Sequence, residues 1–206
     1  MLNGFNIIAP FYDHLANLVF GRSIQSSQKV FLNEIKDCST ILILGGGTGW
    51  LLKELLRVNG TGKICYIEAS FKMIELAKVA VKNDARVTFV HGTEDDISVL
   101  AKFDAVITNF YLDVFTQNSL CVAVRKIGKS LMPGAYWLVT DFTASTKWWQ
   151  RVLLKVMYYF FRIVSKIESS ELPDWRREID SAGFKEQKTG IFYSGFILSI
   201  LYKLPR

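Results

Sequence analysis

The chain has 206 residues, half of them hydrophobic and 14% aromatic, which excludes a disordered polymer and fits one well-filled α/β core better than two. A formal net charge of +6 is compatible with anionic substrates, nucleic acid or an anionic membrane surface, and ordinary surface solubility accounts for it equally well. Three scattered cysteines without a CxxC pair, an opening MLNGFNII with neither a basic nor a long apolar stretch, and no apolar run near the roughly 20 residues of a bilayer span lead us to expect a reduced cytoplasmic protein with free thiols and no signal peptide.

No internal repeat or low-complexity linker breaks the chain, so 1–206 reads as a single domain. Residues 41–44 are a short buried strand, and 50–58 carry helical spacing. A turn, Asn59-Gly60-Thr61-Gly62, leads to a second strand at 63–67. Helix 71–81 follows with Ser70 as N-cap, then strand 87–90 and a short helix at 94–101. Strand 105–108 precedes a helix over about 119–130, which Met132-Pro133-Gly134 separates from strand 135–140. Strands at 184–189 and 196–202 are close enough to form an antiparallel hairpin. Strands alternating with helices predict an α/β fold: a doubly wound, mostly parallel seven-stranded sheet closed by that C-terminal hairpin (183–206). Residues 1–37 and 143–182 lie outside the 41–142 core and are expected to form helical lids over the strand ends.

Ligands of such sheets bind at the carboxyl ends of the strands, where ILILGGGTGW places Gly45, Gly46, Gly47 and Gly49. Glycines there permit left-handed turns and let the backbone approach a ligand. A dinucleotide fingerprint needs G-x-G-x-x-G, with the last glycine allowing close helix packing. Its third position here is Trp50, whose indole removes that packing, so the pattern is G-x-G-x-G. Glu68 ends the second strand about 20 residues after the turn, placed to accept hydrogen bonds from two ribose hydroxyls.

With these residues in hand, the chain resembles the class I S-adenosylmethionine-dependent methyltransferases, whose fold is Rossmann-like. ILILGGGTG is similar to their first motif, CYIEASFKMIELAK to their second, VTFVHGTEDD to their third, FDAVITNFYLDVF to their fourth, and SLMPGAYWLVTDF and SAGF to the later ones. The opening FNIIAPFYD looks like that of the ubiquinone/menaquinone C-methyltransferase-like subgroup, in which the Tyr-Asp pair lies near cofactor and substrate. The resemblance implies S-adenosylmethionine as cofactor, with S-adenosylhomocysteine as product. It implies cofactor contacts at Tyr12, Gly45, Gly46, Gly47, Gly49, Glu68, Ala69, Met73 and Asn109. The adenine amino group would meet Thr93, Glu94 or Asp95. Two positions depart from the family. Ile43 stands where an acid usually helps hold the methionine ammonium group, and Asp113 stands where many relatives carry a histidine.

The cofactor of that family is already activated, so the protein supplies orientation, and a general base is needed only where the acceptor must lose a proton. Asp113 and Tyr12 are the candidate catalytic or substrate-orienting groups. Asp113 also reads as an N-cap before Val114. His14 and His91 have no metal-ligand spacing, and no metal is expected. Residues 147–166, KWWQRVLLKVMYYFFRIVSK, place Lys147, Arg151, Lys155, Arg162 and Lys166 in one stripe and Trp148, Val152, Val156, Tyr159 and Ile163 in another. Such a helix reads as a lid packed on the domain, an amphipathic helix on a membrane surface, or a dimer interface. The expected function is methyl transfer to a small acceptor, lipophilic or quinone-like, by a monomer or homodimer. Its setting is the cytoplasm or the inner face of a membrane. A non-catalytic S-adenosylmethionine-binding or interaction protein is the alternative. No Asn-Pro-Pro-aromatic motif follows the fourth strand, which speaks against nucleic acid.

Overall fold

The computed structural model describes residues 18–144, 147–165, 169 and 171–205. Seven strands form one sheet: β1 Thr40–Leu44, β2 Lys63–Glu68, β3 Val87–His91, β4 Phe103–Asn109, β5 Leu131–Phe142, β6 Lys185–Phe192 and β7 Ile197–Lys203. Their order is β3-β2-β1-β4-β5-β7-β6; β1 to β5 run parallel, and β7 pairs antiparallel with both β5 and β6. The expected doubly wound sheet with a C-terminal hairpin is therefore what forms. The described helices are α1 Ser23–Lys29, α2 Trp50–Val58, α3 Phe71–Ala80, α4 Gln117–Lys129, α5 Trp148–Ser165 and α6 Trp175–Ser181.

The pleat sends successive side chains of β1 to opposite faces, and both faces are covered. Ile41 and Ile43 pack with Leu52 and Leu55 of α2 and Ala77 of α3. Leu42 and Leu44 pack with Leu120, Val124 and Ile127 of α4 and Trp175 and Ile179 of α6. That second cluster places α6, within the segment expected to be a lid, in the core layer. A third cluster joins Phe20, Phe142, Phe196 and Ile197 to Leu153, Leu154 and Met157 of α5.

Several elements differ from the sequence reading. In place of a helix at 94–101 there is a single 3-10 turn, Glu94–Asp96. Thr93 and Asp96 cap that turn reciprocally, and the chain then turns extended at Ile97; Val99 and Leu100 stay 95% and 92% exposed, so no apolar face rewards further turns. Met132-Pro133-Gly134 lies inside β5, where a register shift against β4 between Phe103 and Ala105 absorbs the residues. Helix α4 starts two residues early, because Thr116 accepts the Ser119 N–H at 3.3 Å as its N-cap. The N-cap expected at Asp113 is thus corrected. Strand β6 runs on to Phe192, and the hairpin turns at Tyr193–Gly195. Ser70 caps α3 as expected, accepting the Met73 N–H at 3.2 Å.

Candidate functional site

The site lies at the carboxyl ends of the parallel strands, where the chain winds from β1 to β2 on one side and crosses to β4 on the other. Gly45 leaves β1 at φ +63° and donates its N–H to the Ile67 carbonyl at 2.9 Å. Its Cα face lies under the Tyr111 ring, which a Cβ there would meet at 2.5 Å. Gly46 lies against the Tyr66 ring so closely that a Cβ would overlap it, and the Tyr66 hydroxyl donates to the Gly47 carbonyl at 2.7 Å. Gly49 precedes α2 at φ +87°, and a Cβ there would sit 2.7 Å from the Ala77 Cα of α3. Close packing behind the turn is therefore not lost to Trp50, as the sequence reading held; Gly49 supplies it one residue earlier, between two helices.

Glu68 ends β2, 6% exposed. Its Oε2 accepts the Gly47 N–H at 2.9 Å and its Oε1 the Ser70 N–H at 2.8 Å, so one carboxylate joins the glycine turn to the cap of α3. Burial raises its pKa against these backbone donors, the Ala69 N–H and nearby His91, which pull it down. A carboxylate accepts about four hydrogen bonds in all, which leaves room for a hydroxyl donor. His91 is exposed, its Nε2 2.9 Å from the Ala69 carbonyl and its ring edge-on to Phe71. Ala69 is half-buried beside this contact, whereas the Met73 side chain is buried in the first turn of α3.

The three residues offered for an adenine group diverge. The Thr93 hydroxyl accepts the Asp95 N–H at 3.3 Å. Glu94 accepts the Tyr111 hydroxyl at 2.6 Å. Asp95 is exposed and ion-paired with Lys126 of α4. Tyr111 thus spans the site from Gly45 to Glu94, and burial with the Glu94 charge raises its phenol well above the usual range.

Asn109 ends β4, with both side-chain polar atoms buried and without a hydrogen-bond partner among the described residues. Asp113 follows in the next turn, buried, its Oδ1 likewise without a partner among the described residues. Asp141, near the end of β5, lies beside it: its Oδ2 accepts the N–H groups of Leu112 at 2.9 Å and Asp113 at 3.3 Å, and its Oδ1 that of Phe142 at 2.8 Å. Burial raises both carboxyls, Asp113 to about 7. We place the charge on Asp141 and the shared proton on Asp113, because three N–H donors stabilise a carboxylate on Asp141 alone. Tyr158 of α5 donates its hydroxyl to the Asp113 carbonyl at 3.1 Å.

Tyr12, expected at the site, lies outside the described residues, as does His14. Ile43 is 2% exposed within the face that α2 covers, so apolar packing occupies the position where the resemblance implies an acid. The sequence reading missed Tyr66, Tyr111, Tyr158 and Asp141. Only Asp141 left a signal: like Glu68, it is an acid closing an apolar strand. Among the described residues, no group of His, Cys, Asp or Glu could hold a metal, and no helix is long and apolar enough to cross a membrane.

Residues 41–134 match the methyltransferase domain family. The malonyl-[acyl-carrier protein] O-methyltransferase of Priestia megaterium is 31% identical over 142 residues, 69% of this chain and 51% of that protein. The carboxy-S-adenosyl-L-methionine synthase of Desulfotalea psychrophila is 28% identical over 156 residues, 73% of this chain and 60% of that protein. The matches thus span between half and two thirds of the length of these curated relatives. In fold, the chain is similar to the Burkholderia thailandensis 1,6-didemethyltoxoflavin-N1-methyltransferase, solved with bound 1,6-didemethyltoxoflavin and S-adenosylhomocysteine. The TM-score is 0.71 at 12% identity, covering 98% of this chain and 87% of that one. The centre of this chain, residues 41–134, therefore matches a methyltransferase domain.

Proposed function

We propose, from that domain and from the geometry of its glycine turn, that the whole chain is a methyltransferase using S-adenosylmethionine on a small, lipophilic or quinone-like acceptor. The observation that carries the reading is the Asn109 amide: both its polar atoms are buried without a partner among the described residues, at the end of the strand beside the glycine turn. A buried amide is costly unless something polar meets it, so a polar ligand at this edge fits the residues present. When bound, S-adenosylmethionine supplies an already activated methyl group.

The chain's own residues would divide the remaining work. Gly45, Gly46, Gly47 and Gly49 form the cradle, and the Glu68 carboxylate is the acceptor for ribose hydroxyls. Thr93 and Glu94 suit the adenine better than Asp95, which Lys126 already engages. Tyr111 walls the site over Gly45. Asp113, raised toward neutrality, is matched to taking a proton from an acceptor that must lose one. A lipophilic acceptor, and work beside the inner face of a membrane, draw support from the aromatic helix α5, one side of which bonds the Asp113 turn. The two relatives' names describe different chemistries, so they do not choose the acceptor. The subgroup likeness to quinone C-methyltransferases rests on the opening segment alone.

Isothermal titration with S-adenosylmethionine and S-adenosylhomocysteine tests the reading. Saturable binding of both is expected, and absence of heat with both refutes it. Buried Ile43 favours the second reading, a binding protein that kept the fold. Cofactor binding without turnover across a broad acceptor panel would support that alternative.

A further inference from the structure

Helix α5 carries two faces, and among the described residues one of them makes the contacts inside the molecule. On the inner side, Leu153, Leu154 and Met157 join the cluster of Phe20, Phe142 and Phe196. Gln150 is fully buried and donates to the Tyr193 carbonyl at 3.1 Å, and Tyr158 reaches the Asp113 carbonyl. On the outer side, Trp148 and Tyr159 are 74% and 72% exposed, and Val152 and Val156 are more than half exposed. Arg151, Lys155 and Arg162 are exposed with them. At about 100° per residue, these seven positions fill one arc of about 140°, with the cations in a column beside the apolar residues. The helix contains no acidic residue along its length.

We infer that this outer face of α5 docks on an anionic membrane surface. The inner contacts already fix the helix, so folding does not require the exposed tryptophan, tyrosine and valines. Large exposed apolar patches of this kind mark an interaction site. The charge selects the occupant. Pairing α5 with α5 of a second copy would set three cations against three cations. A protein interface also separates an apolar centre from a polar rim, whereas here the cations run alongside the apolar column for the length of the helix. Tryptophan and tyrosine settle at the headgroup level, and flanking arginine and lysine meet anionic lipids. Docked this way, the helix would rest its outer face on the bilayer while its inner face holds the Asp113 turn. The inference goes beyond methyl transfer: vesicle binding can hold where cofactor titration fails, and the reverse.

Cosedimentation of the full chain with phosphatidylcholine vesicles, with and without phosphatidylglycerol, tests it. Binding is expected only with phosphatidylglycerol. Replacing Arg151, Lys155 and Arg162 together by Gln should weaken it about 100-fold, each cation near an anionic surface contributing about a factor of 5. A separate Trp148→Ser, Tyr159→Ser variant should weaken it without changing its lipid preference. All changed positions are exposed, and circular dichroism checks that each variant folds. Absence of wild-type binding to both vesicle types would overturn the inference and leave the face to an acidic protein. Binding unchanged by both variants would overturn it too. Self-association in sedimentation velocity that vanishes in Trp148→Ser, Tyr159→Ser, with no vesicle binding, would reassign the face to a homodimer.

Discussion

Asp113→Asn should make the protein more stable at alkaline pH, although it removes a candidate catalytic group. Asp113 is buried beside the Asp141 carboxylate, and its pKa is pushed up to about 7, against about 3.9 for an unfolded aspartate. The folded protein therefore holds a proton that the unfolded chain has released between those values. Stability is fully present below about pH 4, falls as pH rises, and levels off above about pH 7. A shift of about 3 units, at about 1.4 kcal/mol each, sets the full loss near 4 kcal/mol. Asparagine has nothing to ionise, so its stability curve should lack this decline. At about pH 8 the variant should exceed wild type by roughly 1–4 kcal/mol, the lower figure allowing for imperfect packing of the amide. Urea unfolding across the pH range, followed by circular dichroism, measures the difference, and the carboxylates other than Asp141, which titrates together with Asp113, cancel between the two proteins. Asp141→Asn is the contrast. It breaks up the set of three N–H donors and should destabilise by about 2–3 kcal/mol throughout the range. Parallel pH curves for wild type and Asp113→Asn would refute the argument that Asp113 carries the shared proton.

Three further outcomes test the architecture around this pair. Gly46→Ala would push a methyl group into the Tyr66 ring, which is fully buried and tied through its hydroxyl to Gly47. It should cost roughly 1–3 kcal/mol and weaken S-adenosylhomocysteine binding in titration, whereas Gly60→Ala, with open space around it, should leave binding unchanged. Glu68→Gln turns an amide donor toward the N–H of Gly47 or Ser70 and should lower affinity about tenfold, with about 1–3 kcal/mol of stability lost in thermal melts; equal affinity would remove Glu68 from the ribose contact. Asn59→Ala should cost about 3 kcal/mol or more by urea unfolding. The buried Asn59 side chain donates to the Ile35 and Cys38 carbonyls and accepts the N–H groups of Thr61 and Gly62.

What the sequence revealed, and what it hid, follows from the range of the interactions concerned. Strand β1 was legible because its apolar run meets cover on both faces, and the Ser70 cap because it acts within three residues. The turn with Glu68 was legible because a strand and a helix of ordinary length fix the spacing. The failures are long-range. Nothing near Tyr111 in the chain announces that its ring will cover Gly45, 66 positions earlier, and Tyr158 reaches Asp113 only after α5 folds back. The 94–101 helix failed because its apolar residues found nothing to pack against. Yet one regularity crosses the sheet. In the order β2, β1, β4, β5, each strand's buried run is followed at its carboxyl end by Glu68, Gly45, Asn109 and Asp141. The register pairs Leu44 with both Ile67 and Thr108, so Glu68, Gly45 and Asn109 come one step later on three adjacent strands, and Asn109 pairs with Thr140, next to Asp141. A parallel sheet converts that shared step into a single line across its edge. Asp141 was therefore readable by the same rule that singled out Glu68. Its distance from the glycine motif in sequence concealed it, although the sheet places only β4 between the two strands.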